Sequence, residues 1–362
     1  MREKYLNRLI ELINNENLDA ALIVPSDDMK FLTGHSPYLC ERFQGLFVKK
    51  DGSYFYFCNL LTRDEAKAFV GEDKVYSWFD NEVFTDVLKD VFEKEGLMGS
   101  TIAVDSAARA FNILDISNNM DVKFINGKEL FESTTLYKSE EEIDLLRIAA
   151  HKTDKVIQKT IDFIKPGIKE LDIKNKIFEC FKDEDMIPEF AIVASGENSA
   201  YPHYNSYDRI IEPNDIIILD IGGVYKELNS DMTRTVFIGQ PTEEMKKVYD
   251  IVLKANLAGE KAAENGTGVR EVDKAAREII EKAGYGEYFT TRLGHGIGYS
   301  THEAPYIKQS SELVLDTAMA FSIEPGIYMP GKFGVRIEDI VVLSRSGKEI
   351  LNLTSKDMKI TY

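Results

Sequence analysis

Four carboxylates set in apolar surroundings are the residues of this chain best placed to do chemistry. The run IIIL (216–219) is continuously apolar and reads as a strand buried on both faces, and Asp220 ends it. A buried carboxylate persists only if it is paired, hydrogen-bonded or metal-bound. Asp231 follows eleven residues later, across a Gly pair and a polar tip. That is a strand–turn–strand spacing, which sets two carboxylates side by side on neighbouring strands. Glu324 and Glu338 repeat the arrangement fourteen residues apart, across PGIYMPGKFGVRI, and predict a second hairpin with a carboxylate on each strand. Mutual repulsion raises one pKa in each pair unless a cation lies between them. Spacing alone leaves two readings open: a shared cation, or ordinary ion pairs with Arg234 and Arg336.

The histidines add weight to the first reading. There are five, His35, His151, His203, His295 and His302. His295 sits in GHGIG, where small neighbours permit close approach to an imidazole. His302 comes seven residues later in HEAP, and His203 lies in a polar, turn-rich stretch seventeen residues before Asp220. Four carboxylates and an imidazole form an oxygen-rich set suited to two hard or borderline divalent ions. Two such ions about 3.5–4 Å apart activate water and polarise a carbonyl, which is chemistry for amide hydrolysis. Competing chemistries lack their signatures: there is no GxSxG elbow, P-loop or HExxH, and the glycines of 294–298 are not a dinucleotide fingerprint.

These residues need strands to hold them and helices to cover the strands. Residues 4–15 repeat apolar positions at helical spacing, and AALIV (20–24) reads as a short buried strand. Strand candidates flank Asp51-Gly52 as a hairpin, a helix stops at Gly96, and two further strands lie in STIAVDS and DVKFING. This alternation predicts an α/β layer domain over residues 1–130. Beyond it, a capping box at Ser139–Glu142 opens a helix that runs to about Ile164, before Pro166-Gly167. Helices are also expected at about 168–184, 242–264 and 269–283, and strands at 216–223, 230–239, 319–329 and 335–343. Residues 131–362 therefore read as an α+β domain with paired helices and strand hairpins.

Composition sets outer limits. The 362 residues are 44% hydrophobic and carry a net charge of −17, a balance that opposes nucleic acid or an anionic membrane as partner. No apolar run reaches the ~18 residues of a membrane span. The amphipathic first residues do not read as a signal peptide, so the expected location is cytoplasmic. Cys40, Cys58 and Cys180 are far apart and imply neither a disulfide framework nor a CxxC metal site; Cys180 reads as helix core. His151 reads as a helix-surface residue and Trp78 as core.

Taken together, ASGENSAYPHY (194–204), LDIGG (219–223), SDMTRT (230–235), GHGIG with HEAP (294–305), IEPGIY (323–328) and VRIED (335–339) resemble the signatures of the pita-bread metallopeptidases. That family comprises prolidase, aminopeptidase P, methionine aminopeptidase and the related creatinases. The resemblance covers the whole chain. It implies an α+β pita-bread catalytic domain preceded by an α/β creatinase-like domain, and a dinuclear centre of two divalent ions, with manganese first and cobalt, zinc or iron as alternatives. Asp220 would chelate one ion, Asp231 and Glu338 would bridge the pair, and His295 and Glu324 would complete the second. Glu324 would also be the base for the attacking water. His203 and His302 would hydrogen-bond the substrate carbonyl or the tetrahedral intermediate, Arg336 would orient carboxylates, and Thr233 would support the bound solvent. The complete ligand set argues against a creatinase or a metal-free binding protein on the same fold.

The implied substrates are Xaa-Pro dipeptides or short proline-containing peptides, cleaved by a protein that is a homodimer by resemblance. In some prolidases of the family a basic residue follows the proline of HExP. Here Tyr306 stands there, with Lys308 two residues on. This departure leaves aminopeptidase P as the alternative to Xaa-Pro dipeptidase. The compact length and the short interval from Asp231 to His295 resemble the smaller microbial prolidases and favour the dipeptidase. His35, in LTGHSPY, reads as a loop residue that could contact substrate.

Overall fold

A computed structural model describes residues 1–35 and 37–361. The chain divides into two compact units, Met1–Thr134 and Thr135–Tyr362.

In the first unit, helices α1 (Glu3–Asn15), α2 (Asp27–Thr33), α3 (Arg63–Val70), α4 (Phe84–Glu95) and α5 (Ala110–Asn119) accompany strands β1 (Ala20–Ile23), β2 (Gly45–Lys49), β3 (Tyr54–Asn59), β4 (Val75–Trp78), β5 (Thr101–Val104) and β6 (Lys123–Asn126). The strands form one mixed sheet in the order β4-β3-β2-β1-β5-β6. α1 buries Tyr5, Leu6, Leu9 and Ile13, an amphipathic stripe at helical spacing. Ser26 caps α2 by accepting from the Met29 amide, and α4 ends at Gly96 in the left-handed conformation. Trp78 is buried and donates its indole N–H to the Phe43 carbonyl.

Helix α6 (Lys128–Thr135) leads to α7 (Glu140–Phe163), whose N-terminus has the expected reciprocal bonds between Ser139 and Glu142. α8 (Glu170–Asp183) follows, then strands β7 (Ile187–Ser195), β8 (Ile216–Tyr225), β9 (Leu228–Asn229) and β10 (Met232–Ile238). Next come α9 (Glu243–Ala262) and α10 (Val269–Lys282), and then β11 (Gly294–Gly296), β12 (Glu303–Ile307), β13 (Ala320–Ile323), β14 (Gly326–Met329), β15 (Phe333–Arg336), β16 (Asp339–Ser344), β17 (Gly347–Ile350) and β18 (Lys359–Thr361). One sheet runs β18-β10-β8-β7, with β9 on β8; another runs β12-β11-β13-β16-β17; β14 and β15 form a separate ribbon.

Alternation along β8 divides its side chains between two layers. Ile217, Leu219 and Ile221 pack with residues of α7 and α8, including the buried thiol side chain of Cys180. Ile218 packs on the opposite face with Ala194 and Tyr328, and Asp220 shares that face. The strand is buried on both faces, as its apolar run predicts. Helices α9 and α10 cover the other sheet through a core that includes Val252, Ala276, Phe321, Ile323 and Val341.

Two expected strands are broken. The run 319–329 leaves one sheet after Ile323 and joins the ribbon at Gly326; the run 335–343 does the same between Arg336 and Asp339. Ile323 pairs with Asp339 on one side of the break and Gly326 with Arg336 on the other. Pro325 has no N–H to continue the ladder. The amides on either side of the gap turn to other strands: Glu324 donates to the Leu293 carbonyl at 2.7 Å and Glu338 to the Thr233 carbonyl at 3.2 Å. Glu324 and Glu338 therefore do not sit within the two strands of a hairpin. They occupy the interruption between two strand pairs, where their side chains meet a third strand. Among the described residues, no helix is long and apolar enough to cross a membrane.

Candidate metal centre

The interruption faces β8, β10 and β11, and the carboxylates converge there. Asp220 lies opposite Thr233 in the β8–β10 pairing. Asp231 immediately precedes β10, on the same face as Thr233. It is therefore offset from Asp220 rather than directly across from it. Thr233 donates its hydroxyl to Glu338 Oε2 at 2.7 Å and so connects the two sheets. Gly294 and Gly296 explain the setting of His295. A Cβ on Gly294 would lie 1.9 Å from the Ser322 carbonyl oxygen, and one on Gly296 would lie 2.0 Å from that of Ala304. Only glycine lets β11 enter so closely between β12 and β13.

His203, Asp220, Asp231, His295, His302, Glu324, Arg336 and Glu338 all line one cavity of about 340 Å³. Asp231, His295 and Glu338 each offer a ligand atom within 4.8 Å of the others. His295 Nε2 lies 3.1 Å from Glu324 Oε1 and 3.6 Å from Asp231 Oδ2. Its Nδ1 is 3.1 Å from the Gly296 carbonyl oxygen, which can only accept. A proton on Nδ1 satisfies that carbonyl, and Nε2 is the nitrogen that faces the carboxylates. The His302 ring stands edge-on to His295, with centroids 4.2 Å apart.

The ion-pair alternative accounts for little of this charge. Arg336 takes Asp220, with Nη2 2.6 Å from Oδ2. Arg234 instead pairs with Asp339 at 2.7 Å and donates to the Glu338 carbonyl. Among the described residues, Asp220 Oδ1, Asp231 Oδ1 and Glu338 Oε1 are buried with no hydrogen-bond partner. Burial, reinforced by Glu338, Asp220 and Glu324, drives the Asp231 pKa well above the usual carboxylate range. Burial and the charges of Glu324 and Asp220 do the same to Glu338. Burial also raises Glu324, but the hydrogen bond and charge of His295, with Arg336 and Arg292, outweigh it and hold this carboxyl low. His302 is pushed down to about 4, first by burial and then by His295 and Arg292. Three converging buried acceptors without donors fit one or more cations of the oxygen-preferring or borderline kind.

Arg336 ties the surroundings together. Besides Asp220, it donates to Thr233 Oγ1 at 3.0 Å, the Tyr328 hydroxyl at 2.8 Å and the Pro202 carbonyl at 3.4 Å. Tyr328 was given no role by the sequence, although it lies within IEPGIY; burial pushes its phenol up to about 12. Glu189, Phe190, Ile192 and Thr291 also line the cavity without having been singled out. They come from a strand and a loop that carry no recognisable motif. His35 belongs to the first unit, where it stacks on Phe69 and pairs with Glu65 at 2.9 Å.

Residues 144–345 match the family described as metallopeptidase family M24, and residues 6–147 match the creatinase/prolidase N-terminal domain. An Xaa-Pro dipeptidase of Lactobacillus helveticus is 35% identical over 362 residues, covering 98% of each chain. Among solved structures, a dipeptidase from Pyrococcus horikoshii OT3 is 34% identical with a TM-score of 0.90, covering 99% of this chain and 100% of that one. A prolidase from Thermococcus sibiricus is 32% identical with a TM-score of 0.92, covering 99% and 98%.

Proposed function

Because this chain belongs to metallopeptidase family M24 and carries a creatinase/prolidase N-terminal domain, we propose that it hydrolyses the Xaa-Pro bond of dipeptides. The observation that carries this reading is the set of three unpartnered, buried carboxylate oxygens beside His295 in a cavity of dipeptide size. Asp220, Asp231, His295, Glu324 and Glu338 would hold two divalent ions, with manganese as the metal best matched to so many oxygen donors. When bound, such ions polarise the scissile carbonyl and lower the pKa of water.

The protein's own groups do the rest. Arg336 and Thr233 fix the orientations of Asp220 and Glu338, so the carboxylates meet the substrate without rearrangement. The Glu324 carboxylate takes the proton of the attacking water. His203 and His302 line the wall where the carbonyl oxygen must lie and donate to it. Proline offers no N–H at the scissile bond, and this site asks for none. A dipeptide's free carboxylate needs a cation near the leaving proline. Arg292 is our choice: its guanidinium stands 5.0 Å over the Tyr306 ring, and its charge reaches both His302 and Glu324. A homodimer in the cytoplasm completes the reading and is tested by light scattering and by cell fractionation.

The deciding assay compares a Met-Pro dipeptide with an Xaa-Pro-Xaa tripeptide on metal-stripped protein resupplied with manganese, cobalt or zinc. Metal-dependent cleavage of the dipeptide is expected, with R292A raising its KM about tenfold, as loss of a charge-assisted hydrogen-bond pair would. Cleavage of the tripeptide alone would make the activity an aminopeptidase P.

A further inference from the structure

The cavity wall contains a charge that the hydrolytic site does not use. Strand β7 pairs with β8, and Pro188 lies opposite Gly223 while Phe190 lies opposite Gly222. Two residues of β7 thus advance against one of β8, which makes Glu189 the extra residue of a bulge. Alternation shows what the bulge changes. Ala191 and Val193 face the core shared with α7 and α8, while Phe190 and Ile192 line the cavity. In an unbroken strand Glu189 would point with Ala191 and Val193 into that apolar layer, at the cost of an unpaired buried carboxylate. The bulge instead brings it to the cavity.

Nothing holds Glu189 there. Among the described residues its side chain has no hydrogen bond and no ion pair, whereas the other acids of the cavity are engaged by Arg336, Thr233, Ser322 or His295. Its carboxylate is exposed and available to a ligand. Ile192 lies opposite Asp220, so Glu189 stands three residues along the strand from the metal-binding end, roughly 10 Å at ~3.3 Å per residue. An extended lysyl or arginyl side chain with one hydrogen bond spans that gap.

We infer that Glu189 selects the residue before proline, and that the favoured substrates carry a cationic side chain there, lysine or arginine. The inference rests on the Xaa-Pro reading and adds the identity of Xaa. The chemistry of the substrate leaves few other partners for this carboxylate. The proline ring is apolar, and the C-terminal carboxylate is repelled by it. The α-amino group is held close to the scissile carbonyl by the short backbone between them, too near the metal end to reach the bulge. A basic side chain is the part with both the right sign and the reach.

The test measures kcat/KM for Lys-Pro, Arg-Pro, Met-Pro and Glu-Pro on manganese-loaded wild type, E189Q and E189K, with calorimetric binding of Lys-Pro and Met-Pro to the same proteins. The expected result is a wild-type ratio of Lys-Pro to Met-Pro of about fivefold, the size of a partly exposed charge pair, expressed mainly in KM. E189Q should abolish that ratio, and E189K should turn it towards Glu-Pro. A ratio that E189Q leaves unchanged, or a parallel fall on all four substrates, would overturn the inference even while Xaa-Pro cleavage stands. If no dipeptide is turned over, the Xaa-Pro reading fails instead. Calorimetry then decides on Glu189 alone: a Lys-Pro binding preference that E189Q removes supports it, and equal affinities reject it.

Discussion

Arg336 is the residue on which most of the site's order depends, because one planar group serves four acceptors. Its guanidinium reaches Asp220 Oδ2 at 2.6 Å, Thr233 Oγ1 at 3.0 Å, the Tyr328 hydroxyl at 2.8 Å and the Pro202 carbonyl at 3.4 Å. These acceptors belong to β8, β10, β14 and the segment that leads to His203. Lysine would keep the charge but present a single point where a fork is needed. R336K should therefore fold, retain a cation beside Asp220, and lose the bonds to Thr233 and Pro202. Thr233 is itself the donor that fixes Glu338, so the loss spreads to a second carboxylate. Supporting groups around metal ligands typically contribute 10–100-fold. R336K is expected to lower kcat/KM by roughly that factor and to weaken manganese binding in a calorimetric titration; wild-type values for both would refute this role. The sequence made the carboxylates visible through their apolar flanks. Spacing alone left open which arginine served them, since Arg234 lies three residues after Asp231 and Arg336 two before Glu338; it was the family resemblance that named Arg336. Only the fold sends Arg234 to Asp339 and Arg336 to Asp220.

At the scale of elements, the site exists because strands are interrupted. The capping box of α7, the Gly96 stop of α4 and the buried run of β8 were all legible, since each depends on local chemistry. The break at Glu324-Pro325 was not, because the apolar pattern continues through it from Phe321 to Tyr328 while the backbone changes sheets. β7 was missed for a related reason: the bulge at Glu189 spoils its alternation. Strand β11 shows how tightly the elements must fit. The Cβ of an alanine at Gly294 would meet the Ser322 carbonyl, a backbone atom paired in β13 that cannot turn away. G294A should push β11 away from β13 and shift His295, whose amide donates to Ser322 Oγ at 3.1 Å. We expect a stability loss of about 1–3 kcal/mol in urea unfolding, the range for overpacking a close-packed site. Manganese affinity should fall in the same variant. Unchanged stability would mean that the sheet opens there more easily than its backbone contacts indicate.

For the molecule as a whole, the fold class, with α/β alternation early in the chain and α+β elements later, could be read from the sequence, because it follows from periodicity and turn chemistry over long stretches. Charge is the property that binds scale to function. A chain with net charge −17 carries three buried carboxylate oxygens that converge without a donor, and their repulsion opposes the compact state of the second unit. A divalent ion bound only by the folded chain removes that repulsion and stabilises by mass action, about 2.7 kcal/mol at a hundred times its dissociation constant. For a unit of this size that corresponds to roughly 5–10 °C in Tm. Thermal unfolding of chelator-stripped protein should therefore shift upward by this amount when manganese is restored. Where two transitions are resolved, the shift should belong to the unit spanning Thr135–Tyr362. D231N provides the sign control. It removes one charge from the cluster, so the metal-free variant should melt above metal-free wild type, yet it should gain far less from manganese. A D231N that melts below metal-free wild type and responds fully to manganese would show that Asp231 serves packing rather than cation binding.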